Sequence, residues 1–171
     1  MPRELVIRNR AVEHDPWRVV GLAPEELARA MPEGPVLVPL AHWKAHRDEL
    51  APRGEVGVWL APADEPREIA GDLAALALVA VQFPKVGDGR GYSTAALLRT
   101  RYGYRGELRA FGDIGRDQLF QLARVGFDAF RLADHHDPHA ALASFGDFSV
   151  KYQGSVDEPV PLFRRRAAAT P

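Results

Sequence analysis

The run LALVAVQF (76–83) is apolar at nearly every position. A strand alternating apolar and polar residues can leave one face in water, whereas one this uniform must be covered on both faces, as in a parallel sheet. Parallel neighbours cannot be joined by a tight turn, so a chain built on such a strand must alternate strands with crossover segments. The surrounding sequence has that rhythm. PVLVPL (35–40), EVGVWLAP (55–62), GELRAFGD (106–113) and FDAFRLA (127–133) read as further strands. APEELARAM (23–31), AHWKAHRDEL (41–50), REIAGDLAAL (67–76), STAALLRTRY (93–102), GRDQLFQLARVG (115–126) and PHAALASFGDF (138–148) read as helices. Ser93 is placed to cap its helix, and SVKYQ (149–153) reads as a terminal strand. About five strand–helix units predict a single α/β domain over 1–171 with a mostly parallel sheet. An open layered sheet with helices on both faces is the first expectation, a partial β/α barrel the second. Both place functional groups at the carboxyl ends of the strands. Residues 1–20 read as an N-terminal β appendage and 164–171 as a frayed tail.

Composition narrows the function classes. The 171 residues carry a net charge of −1, so no global field favours nucleic acid or a membrane surface as partner. No apolar run approaches the ~20 residues of a membrane span. MPRELVIRNR lacks the apolar stretch of a signal peptide, which predicts a cytoplasmic protein. Cysteine is absent, excluding disulfides, thiol chemistry, cysteine-bound iron–sulfur clusters and thiolate metal sites. Nineteen arginines accompany only three lysines, a bias expected of GC-rich coding, so a single arginine carries little functional weight by itself.

Candidate chemistry collects in KVGDGRGYS (85–93), which follows the buried strand and opens a helix. Lys85, Asp88, Gly89, Arg90, Gly91 and Ser93 fit an anion cradle, with glycines taking positive φ to turn N–H groups inward beside a helix N-terminus. The spacing is not the dinucleotide fingerprint G-x-G-x-x-G, since Tyr92 stands where its last glycine belongs. A plain tight turn accounts for the same glycines. Arg109, in mid-strand, needs a carboxylate if buried, and Asp88 and Asp113 are the strand-end candidates; clamp and site readings stay open. Asp113 reads as a helix cap, Asp117 follows in the first turns, and Arg116 points toward the same rim as Arg90. His42 and His46 lie at a chelating spacing, and DHHDPH (134–139) has a metal-like composition. Neither supplies the three or four convergent ligands of a site, so no metal is expected. No G-x-S-x-G elbow or triad is present, and catalytic residues stay unassigned.

The blocks DGRGYS, LRTRYGYRGELRA, FGDIGRDQL and GFDAF, continuing through DFSVKYQ and PLFRR, resemble an uncharacterised bacterial family, domain of unknown function nine-three-four. That family is described as oxidoreductases of sulfite reduction, encoded beside a sirohaem assimilatory sulfite reductase. The resemblance implies a role in sulfur assimilation and cysteine biosynthesis, with the reductase as partner. The matching positions are Asp88, Gly89, Arg90, Gly91, Tyr92, Ser93, Arg99, Arg109, Gly112, Asp113, Arg116 and Asp117; the resemblance gives none of them a catalytic role. Val125 stands where relatives often carry cysteine, and DHHDPH lies outside the family pattern. Three functions are therefore expected in turn: an accessory protein of sulfite reduction, an enzyme holding a flavin or nicotinamide phosphate on the glycine-rich loop, and a small-anion binding domain. No cofactor is evident from the sequence.

Overall fold

The computed structural model describes residues 5–168. Its strands are β1 (Leu5–Arg8), β2 (Ala11–His14), β3 (Arg18–Val19), β4 (Val36–Pro39), β5 (Val56–Leu60), β6 (Leu78–Phe83), β7 (Glu107–Gly112) and β8 (Ala129–Arg131). All eight join one sheet in the order β2-β1-β8-β7-β6-β5-β4-β3. From β3 to β8 every strand lies parallel beside the next in sequence, while β1 pairs antiparallel with both β2 and β8.

That order decides between the two expected architectures. A sheet with helices on both faces needs a point where the strand order reverses. Here there is none among the parallel strands, so crossovers of one hand all fall on one face and the sheet curls into a half-barrel. The two-faced layered sheet is thereby corrected. Burial follows the pleat: Val36, Val38, Val58, Leu60, Val79, Val81, Leu108 and Ala110 pack outward in one large core with Trp43, Ile69, Leu98 and Leu122 of the crossovers. The alternate residues Leu37, Trp59, Leu78, Ala80 and Phe111 form a second, smaller cluster inside the curl, with Trp17 and Val19 against it.

The helices of the crossovers are α1 (Leu40–Ala45), α2 (Arg47–Leu50), α3 (Arg90–Thr100) and α4 (Leu119–Arg124); α5 (Pro138–Ala141) follows the last strand, and α6 (Leu162–Ala168) ends the described chain. They are shorter than the sequence pattern predicts. The helix expected over 41–50 breaks at His46 (φ −127°), and the one over 67–76 is reduced to a 3-10 turn at Pro66–Ile69. The reason is geometric, because strands of three to six residues rise only about 10–20 Å and a long return is unnecessary. Residues 149–153 form no strand, and the frayed tail expected over 164–171 starts inside α6; residues 1–4 and 169–171 lie outside the described residues.

A short segment joins the two edges of the curl. β2 and β3 are the two outer strands, yet His14 ends one and Arg18 begins the other. Four residue steps reach at most about 14 Å, so Asp15, Pro16 and Trp17 cross the remaining gap.

Candidate functional site

The glycine-rich loop sits at the carboxyl end of β6, as its sequence position implies. Its glycines do not act as expected. Neither Gly87, Gly89 nor Gly91 takes a positive φ, and Gly89 is at φ −80°. Gly91 is glycine for packing, since a Cβ there would lie 2.5 Å from the Phe83 ring. At Gly87 and Gly89 a Cβ would meet nothing within 4 Å. Ser93 lies inside the first turn of α3 and does not cap it; Gly89 holds the cap position without a side chain. Arg90 folds back onto Asp88, its Nε donating to Oδ1 at 2.9 Å and its Nη2 to Oδ2 at 2.7 Å. Those hydrogen bonds hold the Asp88 carboxyl below the usual carboxylate range. The arginine nevertheless keeps 62% of its side chain in solvent.

Beside this loop the turn after β7 completes a rim. Asp113 does not cap a helix: its Oδ2 accepts from the Val86 N–H at 3.3 Å, and Gly115 precedes the turn Arg116–Gln118. Gln118, which carries no charge to mark it in the sequence, is a second link between the two loops. Its Oε1 accepts from Gly115 N–H at 3.0 Å and its Nε2 donates to the Val86 carbonyl at 3.3 Å. Lys85, Arg116 and Asp117 are exposed, and among the described residues the side chains of Lys85 and Arg116 form no hydrogen bond or ion pair.

Arg109 is not on that rim. Its side chain is 1% exposed and points into the curl, beside Ala80 and Ala129 in register. Its partners are neither Asp88 nor Asp113. Nη1 donates to both carboxylate oxygens of Asp15 at 3.0 and 2.9 Å, while Nε and Nη2 donate to Glu107 Oε1 at 2.9 and 2.7 Å. Glu107 Oε2 in turn accepts from Arg8 at 2.8 Å, and Arg8 reaches Glu13 at 2.6 Å. Five alternating charges thus tie the hairpin and the crossing segment to β7. Four donors of Arg109 are satisfied, as a buried guanidinium requires.

Other motif residues also serve the fold. Arg99 donates to the carbonyls of Gly126, Tyr104 and Gly106, each at 2.9 Å, and to Asp128 at 2.8 Å. Asp128 also accepts from Leu108 N–H at 2.8 Å; burial raises its pKa despite those contacts. The Tyr104 hydroxyl donates to the Leu76 carbonyl at 3.0 Å, and its burial pushes its pKa up. The blocks around LRTRYGYRG and GFDAF therefore knot together the amino ends of β6, β7 and β8. Val125 is partly buried against the core at the end of α4.

The histidines show no metal geometry; among the described residues no group of three or more metal-binding side chains converges. Asp137 caps α5, accepting from His139 N–H at 3.1 Å. The rings of His42 and His46 stack at 4.2 Å. Burial, and after it the charge of His46, lowers the His42 pKa below the usual 6.5. Stability gained from a neutral His42 is thus present above about pH 6.5 and is lost as pH falls through its folded value. In an NMR titration His46→Ala should move the His42 midpoint upward; an unmoved midpoint would leave burial as the sole cause.

No curated protein and no solved structure matches the chain. A family model does, over residues 57–163, from β5 to α6, taking in the rim, the buried Arg109 and the knot of Arg99. Since that span is well over half of the 171 residues, the chain belongs to the family described as bacterial protein of unknown function (DUF934).

Proposed function

We propose that the protein is an accessory factor of assimilatory sulfite reduction that docks on a sirohaem sulfite reductase through the rim at the carboxyl ends of β6 and β7. The observation that carries docking is the form of the rim. Lys85, Arg90 and Arg116 stand in solvent around the exposed apolar side chain of Val86, and Gly87 and Gly89 leave their backbone open to close approach. The side chains of Lys85 and Arg116, without an ion pair among the described residues, and the accessible backbone beside them suit a partner surface that offers carboxylates. The reductase as partner is supported by the family resemblance. A phosphate cradle on the same loop is the weaker reading, because Arg90 is already engaged by Asp88 and the glycines do not turn the backbone inward through positive φ.

Tagged protein should retain the reductase on co-purification. Reversing both charges, Arg90→Glu with Arg116→Glu, should weaken binding at least about tenfold, with steep salt dependence in the wild type; because Arg90→Glu also takes the partner from Asp88, the melting temperature is measured beside binding. A deletion strain that grows normally on sulfate without cysteine would sink this reading.

A further inference from the structure

We infer that the mouth of the half-barrel beside β3 is a binding site for a phosphorylated ligand of nucleotide size, anchored by Arg131. A cavity of about 700 Å3 opens there, walled by the crossing segment from His14 to Val20, by the stretch between Glu26 and Pro35, and by Arg131. A second cavity of about 220 Å3, under Phe111 and Gly112, shares Val19 and Arg131 with it. The larger volume is in the range that encloses most of a cofactor-sized molecule, roughly 300–1,000 Å3.

Charge selects the ligand class. Arg18, Arg29 and Arg131 line the larger cavity, and among the described residues none of the three side chains forms a hydrogen bond or ion pair. Elsewhere the buried or half-buried arginines are engaged: Arg8, Arg99, Arg109 and Arg124 all pair with carboxylates, and Arg53 donates to backbone carbonyls. The acids nearest the three are already used. Asp15 is held by Arg109, and Glu26 accepts from Gly21 and Leu22 N–H at 2.8 and 3.2 Å. Glu26 keeps its negative charge, since backbone donors do not neutralise a carboxylate, so Glu26 and Glu33 stand on the wall with the three arginines, and neither is bonded to any of them.

Arg131 is the anchor because it is the one of the three that is partly buried. It ends β8 in register with Phe111, so the guanidinium rises from the inner face of the curl toward the edge strand β3. A partly desolvated guanidinium without a carboxylate is matched by a bidentate anion such as phosphate. The remaining wall supplies what a ring needs. Trp17 is the only tryptophan outside the buried set and lies between Pro16 and the arginines. β3 adds backbone groups: Arg18 and Val20 donate to Pro35 and Leu37 of the β4 side, and alternation turns the N–H and C=O of Val19 toward the open edge.

The probes are ADP and inorganic pyrophosphate, titrated by calorimetry and by tryptophan fluorescence. ADP should bind saturably below about 1 mM, quench the emission of Trp17, and bind at least about tenfold more tightly than pyrophosphate. Arg131→Ala should weaken ADP at least about tenfold, Arg131→Lys less, and the exposed pair Arg18→Ala with Arg29→Ala should weaken it without lowering the melting temperature. Trp17→Phe should remove the quench. Arg90→Ala should leave ADP binding unchanged, which separates this site from the docking rim. Absence of saturable ADP binding, ADP no tighter than pyrophosphate, or full affinity in both arginine variants would overturn the assignment.

Discussion

Replacing Arg109 with alanine should destabilise the protein by about 3–5 kcal/mol, the usual cost of removing one partner from a buried ion pair. The substitution strands Asp15, whose side chain is 3% exposed, and leaves Glu107, at 17%, with Arg8 as its remaining cation. Asp15 has no route to bulk water without movement of the crossing segment. For a chain of this length such a loss lowers the melting temperature by roughly 10 °C. Asp15→Ala should cost a similar amount, because it leaves the guanidinium half-unpaired. The double variant Arg109→Ala with Asp15→Ala should cost clearly less than the sum of the single changes, since the desolvation penalty of the pair disappears with it. Calorimetric unfolding of the four proteins completes the cycle. Additive losses, or an Arg109→Ala penalty under about 1 kcal/mol, would show that the network does not hold the hairpin and crossing segment in place.

That network marks the limit of what the sequence makes legible. The parallel strands can be read from their apolar runs, because a strand covered on both faces leaves an unambiguous pattern. Their order cannot, since the same alternation of strands and crossovers fits a layered sheet and a half-barrel. Arg109 stands out as a charge within a buried strand, but its principal partner is 94 positions away in a segment that reads as an N-terminal β appendage. Glu107 was within reach of the sequence. It lies two residues before Arg109, and period-two alternation puts both on the same face. Searching the strand ends for carboxylates missed it. Gln118 is hidden for another reason: its side chain reaches a carbonyl 32 positions earlier, and an amide carries no charge to mark it. Arg131 looks like one of many arginines until the fold shows that the others inside the molecule are engaged and it is not.

The glycines of the family motifs separate fold from surface in a way their spacing does not, and they should divide sharply on substitution. Gly112 adopts φ +113°, a region open essentially only to glycine, and a Cβ would fall 2.3 Å from the Phe83 carbonyl oxygen. That oxygen is fixed, because it accepts the Asp113 N–H at 2.7 Å across the ends of β6 and β7. Gly112→Ala must therefore either strain the backbone, at about 1–3 kcal/mol, or break the contact that closes the rim. A total loss of at least about 3 kcal/mol is expected when the clash is added. Gly87→Ala and Gly89→Ala meet neither constraint and should each stay within about 0.5 kcal/mol of the wild type. The informative comparison is between stability and partner binding in the same three variants. If the loop is a docking surface, the two alanines that spare the fold should still weaken capture of the reductase, since each places a methyl group on backbone that a partner would approach. If Gly87→Ala and Gly89→Ala bind as the wild type does, the loop is no contact surface and only Lys85, Arg90 and Arg116 remain to carry the rim. Equal stability of Gly112→Ala and the wild type would contradict the backbone geometry on which the rim is built.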